Sequence, residues 1–136
     1  MITKLSHVSF FVLDQQSAMD FYVNKLGFEV KVNIPVPDGS SWLTVSPKDQ
    51  DLEITLIPVN NKMMFKEDTS EKLTQLIKAM AFGFGVFECK DVFATYEELK
   101  GKGVEFIKVP KTIGEKPEAM FKDDSGNFFG LCQHDN

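Results

Sequence analysis

His7 and Glu53 are the two residues with which this chain could do chemistry. An imidazole held beside a carboxylate makes an acid/base pair, or supplies two ligands to a divalent metal. The same contact can also be only a neutral histidine hydrogen-bonded to its neighbour. Other reactive residue types have plainer readings. His134 stands two residues from the C-terminus and is expected to be exposed and idle. Cys89 and Cys132 are too few for a disulfide scaffold and read as reduced thiols. Asp123, Asp124 and Asn127 have the look of a cation loop but lack the later Glu of an EF-hand, so a hairpin turn is expected there. Gly83 and Gly85 open a dinucleotide-like glycine pattern that fails at Glu88.

The elements that must position His7 and Glu53 can be read from periodicity. Ser6 to Leu13 alternates as a strand, with Val8, Phe10 and Val12 on one row and His7, Ser9 and Phe11 on the other. Asp14 is placed to cap a helix whose Ala18, Phe21, Tyr22 and Leu26 share a face, and Gly27 is placed to stop it. Strands follow over Phe28 to Val36, Ser41 to Val45 and Leu52 to Val59, with Pro37-Asp38-Gly39 as a turn. Residues 60–82 connect, with a short amphipathic helix through Leu73, Leu76, Ile77 and Met80.

The order then repeats. A strand over Gly83 to Cys89, a helix over Val92 to Lys102, and strands over Val104 to Val109, Ala119 to Lys122 and Asn127 to Gln133 form a second βαβββ unit. Lys108 to Lys116, with Pro110 and Gly114, reads as a loop. The expectation is a single α+β domain: module one over 1–59, a connector over 60–82 and module two over 83–136. Strand parity puts Trp42, Thr44, Thr55, Phe84, Val86, Glu88, Phe128, Gly130 and Cys132 on the helix-free face with His7 and Glu53. Of these, Trp42, Thr55, Phe84, Glu88 and Phe128 are the candidate ligand-binding residues.

Composition narrows the partners. The 136 residues are 43% apolar and 26% charged, as in an ordinary globular protein. The net charge is -5, and all 15 basic residues are Lys. Without Arg the bidentate fork for phosphate and carboxylate is missing, and nucleic acid is not an expected partner. No stretch is apolar enough for a signal peptide or a membrane span, so a cytoplasmic location is expected.

The paired βαβββ units, His7 in the first strand, Asp14 before Phe21-Tyr22, Leu26-Gly27-Phe28, Gly103-Val104-Glu105-Phe106 and the Phe121-Lys122-Asp123-Asp124-Ser125-Gly126-Asn127 hairpin together resemble the vicinal oxygen chelate superfamily. That superfamily includes glyoxalase I, extradiol dioxygenases, and fosfomycin and bleomycin resistance proteins. The resemblance implies a metal ligand from the first and last strand of each module, at His7 and Glu53 and at Phe84 and Gly130. Phe84 and Gly130 have no side chain to offer a cation. The leading expectation is therefore a protein that binds a small neutral or cationic, partly aromatic molecule, with no cofactor. The alternative is a lyase, isomerase or dioxygenase using His7 and Glu53, with or without a divalent metal. The resemblance also implies a homodimer.

Overall fold

The computed structural model describes residues 1–114 and 116–134. Glu115, Asp135 and Asn136 of the expected second module lie outside the described residues.

Two four-stranded sheets carry the repeat. The first contains β1 (His7–Val12), β2 (Glu29–Pro35), β3 (Ser41–Ser46) and β4 (Glu53–Pro58) in the order β1-β4-β3-β2. The second contains β5 (Phe84–Cys89), β6 (Phe106–Ile113), β7 (Lys116–Lys122) and β8 (Phe128–Gln133) in the order β5-β8-β7-β6. In each, the first strand pairs with the last in parallel and the remaining pairs are antiparallel.

Local chemistry explains the helix ends. The Asp14 carboxylate accepts from the Ser17 amide at 2.7 Å and starts α1 (Gln15–Met19), which continues as a π-helical segment over Asp20–Lys25. Gly27 stops it at φ +76°, a left-handed conformation that glycine adopts without Cβ strain. The connector forms α2 (Glu67–Lys78). Asp91 caps α3 (Val92–Gly101) by accepting from the Ala94 amide at 3.0 Å.

The helix-facing rows make one core shared by both sheets. Val12, Leu43, Val45, Ile54 and Leu56 of the first sheet and Ala119, Phe121, Phe129 and Leu131 of the second are buried together with Phe21, Tyr22, Val92 and Leu99. Aromatic rings cross between halves: Phe10 meets Phe129 at 5.2 Å and Phe28 meets Phe87 at 5.6 Å between centroids.

One stretch departs from its sequence reading. Lys108 to Lys116, expected as a loop, is mostly β-hairpin, since β6 runs to Ile113 and β7 starts at Lys116. The register shifts twice along this pair, around Phe106 to Lys108 and Lys108 to Lys111. Such irregularities accommodate Pro110, which cannot donate to a ladder, and they lengthen the strands beyond their regular alternation.

Candidate functional site

The parity of β1 sends His7 to the helix-free face, and the parallel register sets Glu53 directly beside it. His7 Nε2 lies 3.3 Å from Glu53 Oε2, and Nδ1 lies 2.9 Å from Ser6 Oγ. The Thr44 hydroxyl donates to Glu53 Oε1 at 2.6 Å. Both Glu53 oxygens and both ring nitrogens are thus engaged, which fixes the plane of the imidazole. Among the described residues no group of three His, Cys, Asp or Glu is gathered that could hold a metal. Two donors fall short of the three protein ligands of a catalytic zinc, so this pair within one chain does not fit that group.

The other residues of the row in module one lie apart from the pair. Thr44 is level with Thr55 and Ser9, and Trp42 lies two residues beyond Thr44, away from His7. Four residues of strand separate Trp42 from the His7 level, roughly 13 Å. Trp42 is 45% exposed and pairs with Ile34, which is 57% exposed. Thr55, expected to meet a ligand, is 2% exposed, enclosed between Ser9 and Thr44, and presents almost no surface in the single chain.

The second sheet offers a different surface. Phe84 pairs with Phe128, and Gly130 pairs with Val86. Since His7 pairs with Glu53, the counterpart of that polar pair in module two is Phe84 with Phe128, whereas the resemblance had pointed to Gly130. Their rings lie 5.0 Å apart, and Phe84 is 61% exposed. Beside Phe84 opens a cavity of about 230 Å³, with Val86, Met120, Gly130 and Cys132 among its walls and Lys108, Lys111 and Glu118 as its charged members. These lysines come from β6, of which the sequence indicated Val104 to Val109 as strand and the stretch from Lys108 to Lys116 as loop. The Cys132 thiol is pushed up from its ordinary pKa, first by burial and then by Glu88, Cys89 and Glu118, which leaves it a poor nucleophile.

Glu88 does not join the cavity beside Phe84. It lies at the other end of β5 and lines a crevice between the two sheets, together with His134. His134 is half-buried there rather than exposed, because its backbone amide donates to the Cys89 carbonyl at 3.2 Å and holds the chain end against β5. Cys89 and Cys132 are both free.

The hairpin turn expected at Asp123, Asp124 and Asn127 is present between β7 and β8, and it holds a polar centre whose ties to module one the sequence did not show. Asp123 is 3% exposed, and its Oδ1 accepts from the amides of Ser125, Gly126 and Asn127 at 2.8 to 3.0 Å. Its Oδ2 accepts from the Tyr22 hydroxyl at 2.7 Å and from Asn127 Nδ2 at 3.0 Å. Asn127 Nδ2 also donates to the Phe11 carbonyl at 2.8 Å, and Ser125 Oγ accepts from the Leu13 amide at 2.9 Å. Burial, then the charge of Asp123, raises the Tyr22 pKa well above its ordinary value and keeps the hydroxyl a donor. This hairpin joins the modules. Its only signal in sequence is the Asp-Asp-Ser-Gly-Asn run, and the partner Tyr22 stands 101 residues away.

Comparison with known proteins agrees with this architecture. YetH of Bacillus subtilis strain 168, an uncharacterised protein, is 37% identical over 131 residues, 96% of this chain and 98% of that protein. The crystal structure of UcmS2 superposes with a TM-score of 0.91 at 41% identity, covering 97% of this chain and 98% of that one. TnmS3, described as an antibiotic binding protein from Streptomyces sp. CB03234, superposes with a TM-score of 0.75 at 29% identity, over 98% of both chains. The sequence profile of one family matches residues 4–131, and the paired four-stranded sheets carry its arrangement. The chain belongs to the Glyoxalase/Bleomycin resistance protein/Dioxygenase superfamily.

Proposed function

We propose that this protein binds a small neutral or cationic, partly aromatic molecule on its helix-free faces. The observation that carries this reading is the apolar surface left on them: Phe84, Val86, Ile34 and Trp42 are 61%, 57%, 57% and 45% exposed. Flat aromatic surfaces of this kind stack on planar ligands or take a cation over the ring. Glu53 supplies the negative charge in module one, while Lys108 and Lys111 are balanced only in part by Glu118 in module two. The description of TnmS3 as an antibiotic binding protein supports a ligand of drug-like size.

The ligand site is completed by a second copy, the helix-free face of module one in one chain meeting that of module two in its partner. This follows from the two surfaces being complementary in kind, one polar around His7 and Glu53 and one aromatic around Phe84 and Phe128. Light scattering should give twice the 15.4 kDa chain mass. A monomer at working concentration would end this part of the proposal. Trp42, the one tryptophan of the chain, makes a direct reporter. Its emission should change on titration with planar neutral or cationic compounds and stay unchanged with phosphorylated or multiply carboxylated ones, and the reverse selectivity would overturn the ligand class.

The 3.3 Å contact of His7 with Glu53 favours one second reading, an enzyme using the pair as acid and base. Stoichiometric, tightly held metal in the purified protein would move the assignment to a metal-dependent enzyme with ligands drawn from both copies.

A further inference from the structure

The internal repeat is closed at one end of the seam between the sheets and open at the other. Where β1 ends, the hairpin of module two fills the seam. Phe129 packs on Phe10, Asn127 donates to the Phe11 carbonyl, and Ser125 accepts from the Leu13 amide. The strand registers set Ile54 in the place of Phe129 and, one residue before β4, Leu52 in that of Asn127. Neither substitute can reproduce the tie it replaces. A smaller side chain replaces a ring, and an apolar one replaces the amide that bridged the strands.

The result is a crevice of about 850 Å³ where β5 ends, within the range of small-molecule sites. Val8, Phe10, Leu52 and Ile54, all from the helix-facing rows, form its apolar floor. Asp49 and Glu88 stand on its rim, with Lys48 its one lysine and His134 also on its wall. Glu88 is exposed, and neither Glu88 nor Asp49 enters an ion pair among the described residues.

We propose that this crevice is a second binding site, meeting the helix-free face of module two only at Val86 and Glu88, for an amphipathic organic amine. The apolar body would lie on Val8, Phe10 and Ile54, and the ammonium would face Glu88 and Asp49. An apolar floor with a carboxylate rim favours a cation with a hydrocarbon stem over an anion of the same shape.

The test uses 3-phenylpropylamine and, as its anionic match, 3-phenylpropionate, added to the isotopically labelled full chain and followed by amide NMR shifts. The amine should give saturable shifts at Gly85, Phe87 and Gln50, with little change at Thr44 or Trp42, while the carboxylate should give none there. Ile54→Phe, which restores the ring found at the closed end, and Glu88→Lys, at an exposed position that leaves the core untouched, should each weaken amine binding by about tenfold or more. Equal binding of both compounds, shifts confined to the helix-free faces, or no saturation at millimolar amine would overturn the proposal. So would shifts of the same amides on diluting the protein without ligand, which would assign the crevice to a second copy instead. Loss of the Trp42 response with retention of these shifts would remove the helix-free-face reading and leave this one standing.

Discussion

Asp123 is a buried carboxylate whose charge is met by five donors from its own hairpin and from α1's π-helical continuation. Tyr22→Phe removes one donor without changing the packed ring, and hydrogen bonds to charged groups are worth ~1.5–3 kcal/mol. Urea unfolding should show that loss with an unchanged slope, and a loss under about 0.5 kcal/mol would mean that water replaces the hydroxyl. Its neighbour Asp124 behaves oppositely. Although the residue is exposed overall, the surrounding protein, with Asp123 and Asp14 adding repulsion against the Ser17 hydrogen bond, raises its pKa to about 6. A carboxyl raised in the folded state above its unfolded value of about 3.9 opposes folding when ionised, so its burden is full above pH 6 and fades as pH falls toward 4. Asp124→Asn should therefore raise the melting temperature at pH 7.5 and raise it much less at pH 4.5. Equal shifts at both pH values would contradict the raised pKa. Residue-level chemistry of this sort was only partly legible. His7 beside Glu53 followed from strand alternation, whereas the Tyr22 to Asp123 contact depends on how two modules meet.

At the level of elements, two glycines should respond in opposite directions. Gly126 has φ +129°, and a Cβ there would lie 2.2 Å from the Ile77 carbonyl oxygen, a backbone atom that cannot step aside. Gly126→Ala should cost well over ~1 kcal/mol and displace the end of α2 from the β7–β8 hairpin. Gly101, the last residue of α3, has open space for 4 Å around the place a Cβ would take, and it lies outside the left-handed region. Gly101→Ala should stabilise by ~0.4–1 kcal/mol, chiefly by restricting the unfolded chain, and thermal melts of the two variants on either side of wild type would check both. Strands with one buried row were readable because each residue's face is set by a period of two, as in Val8, Phe10 and Val12. The β6–β7 pair was readable only in the half away from its turn, Val104 to Val109 and Ala119 to Lys122, because Pro110, Gly114 and Pro117 are turn signals in isolation and only the neighbouring strand β8 turns them into a bulged hairpin. With the far half of β6 went Lys111, and so part of the mixed charge beside Phe84.

The whole molecule has one core but two kinds of helix-free face. A repeat with Phe84 in the place of His7 tells what module two has given up, and its register shows what it gained: a pair of exposed rings on the face where module one keeps a polar pair. Glu88, grouped by parity with Phe84, belongs by position to the seam, since parity assigns a face but not a place along it. The thiols test the same geometry, for Glu88 pairs with Cys132 while Cys89 lies one residue on and points to the other face. Two titratable thiols in unfolded, unreduced protein are expected, and none would show the faces to be wrong. The hairpin around Asp123 also governs how the chain comes apart. The amides of Ser125, Gly126 and Asn127 end on a carboxylate whose remaining bonds run to Tyr22 and Asn127, and from Asn127 to Phe11. Solvent deuterium cannot reach them by fraying of one hairpin, only by parting of the modules, so these three turn amides should exchange as slowly as those of the central strands and report the free energy of global opening.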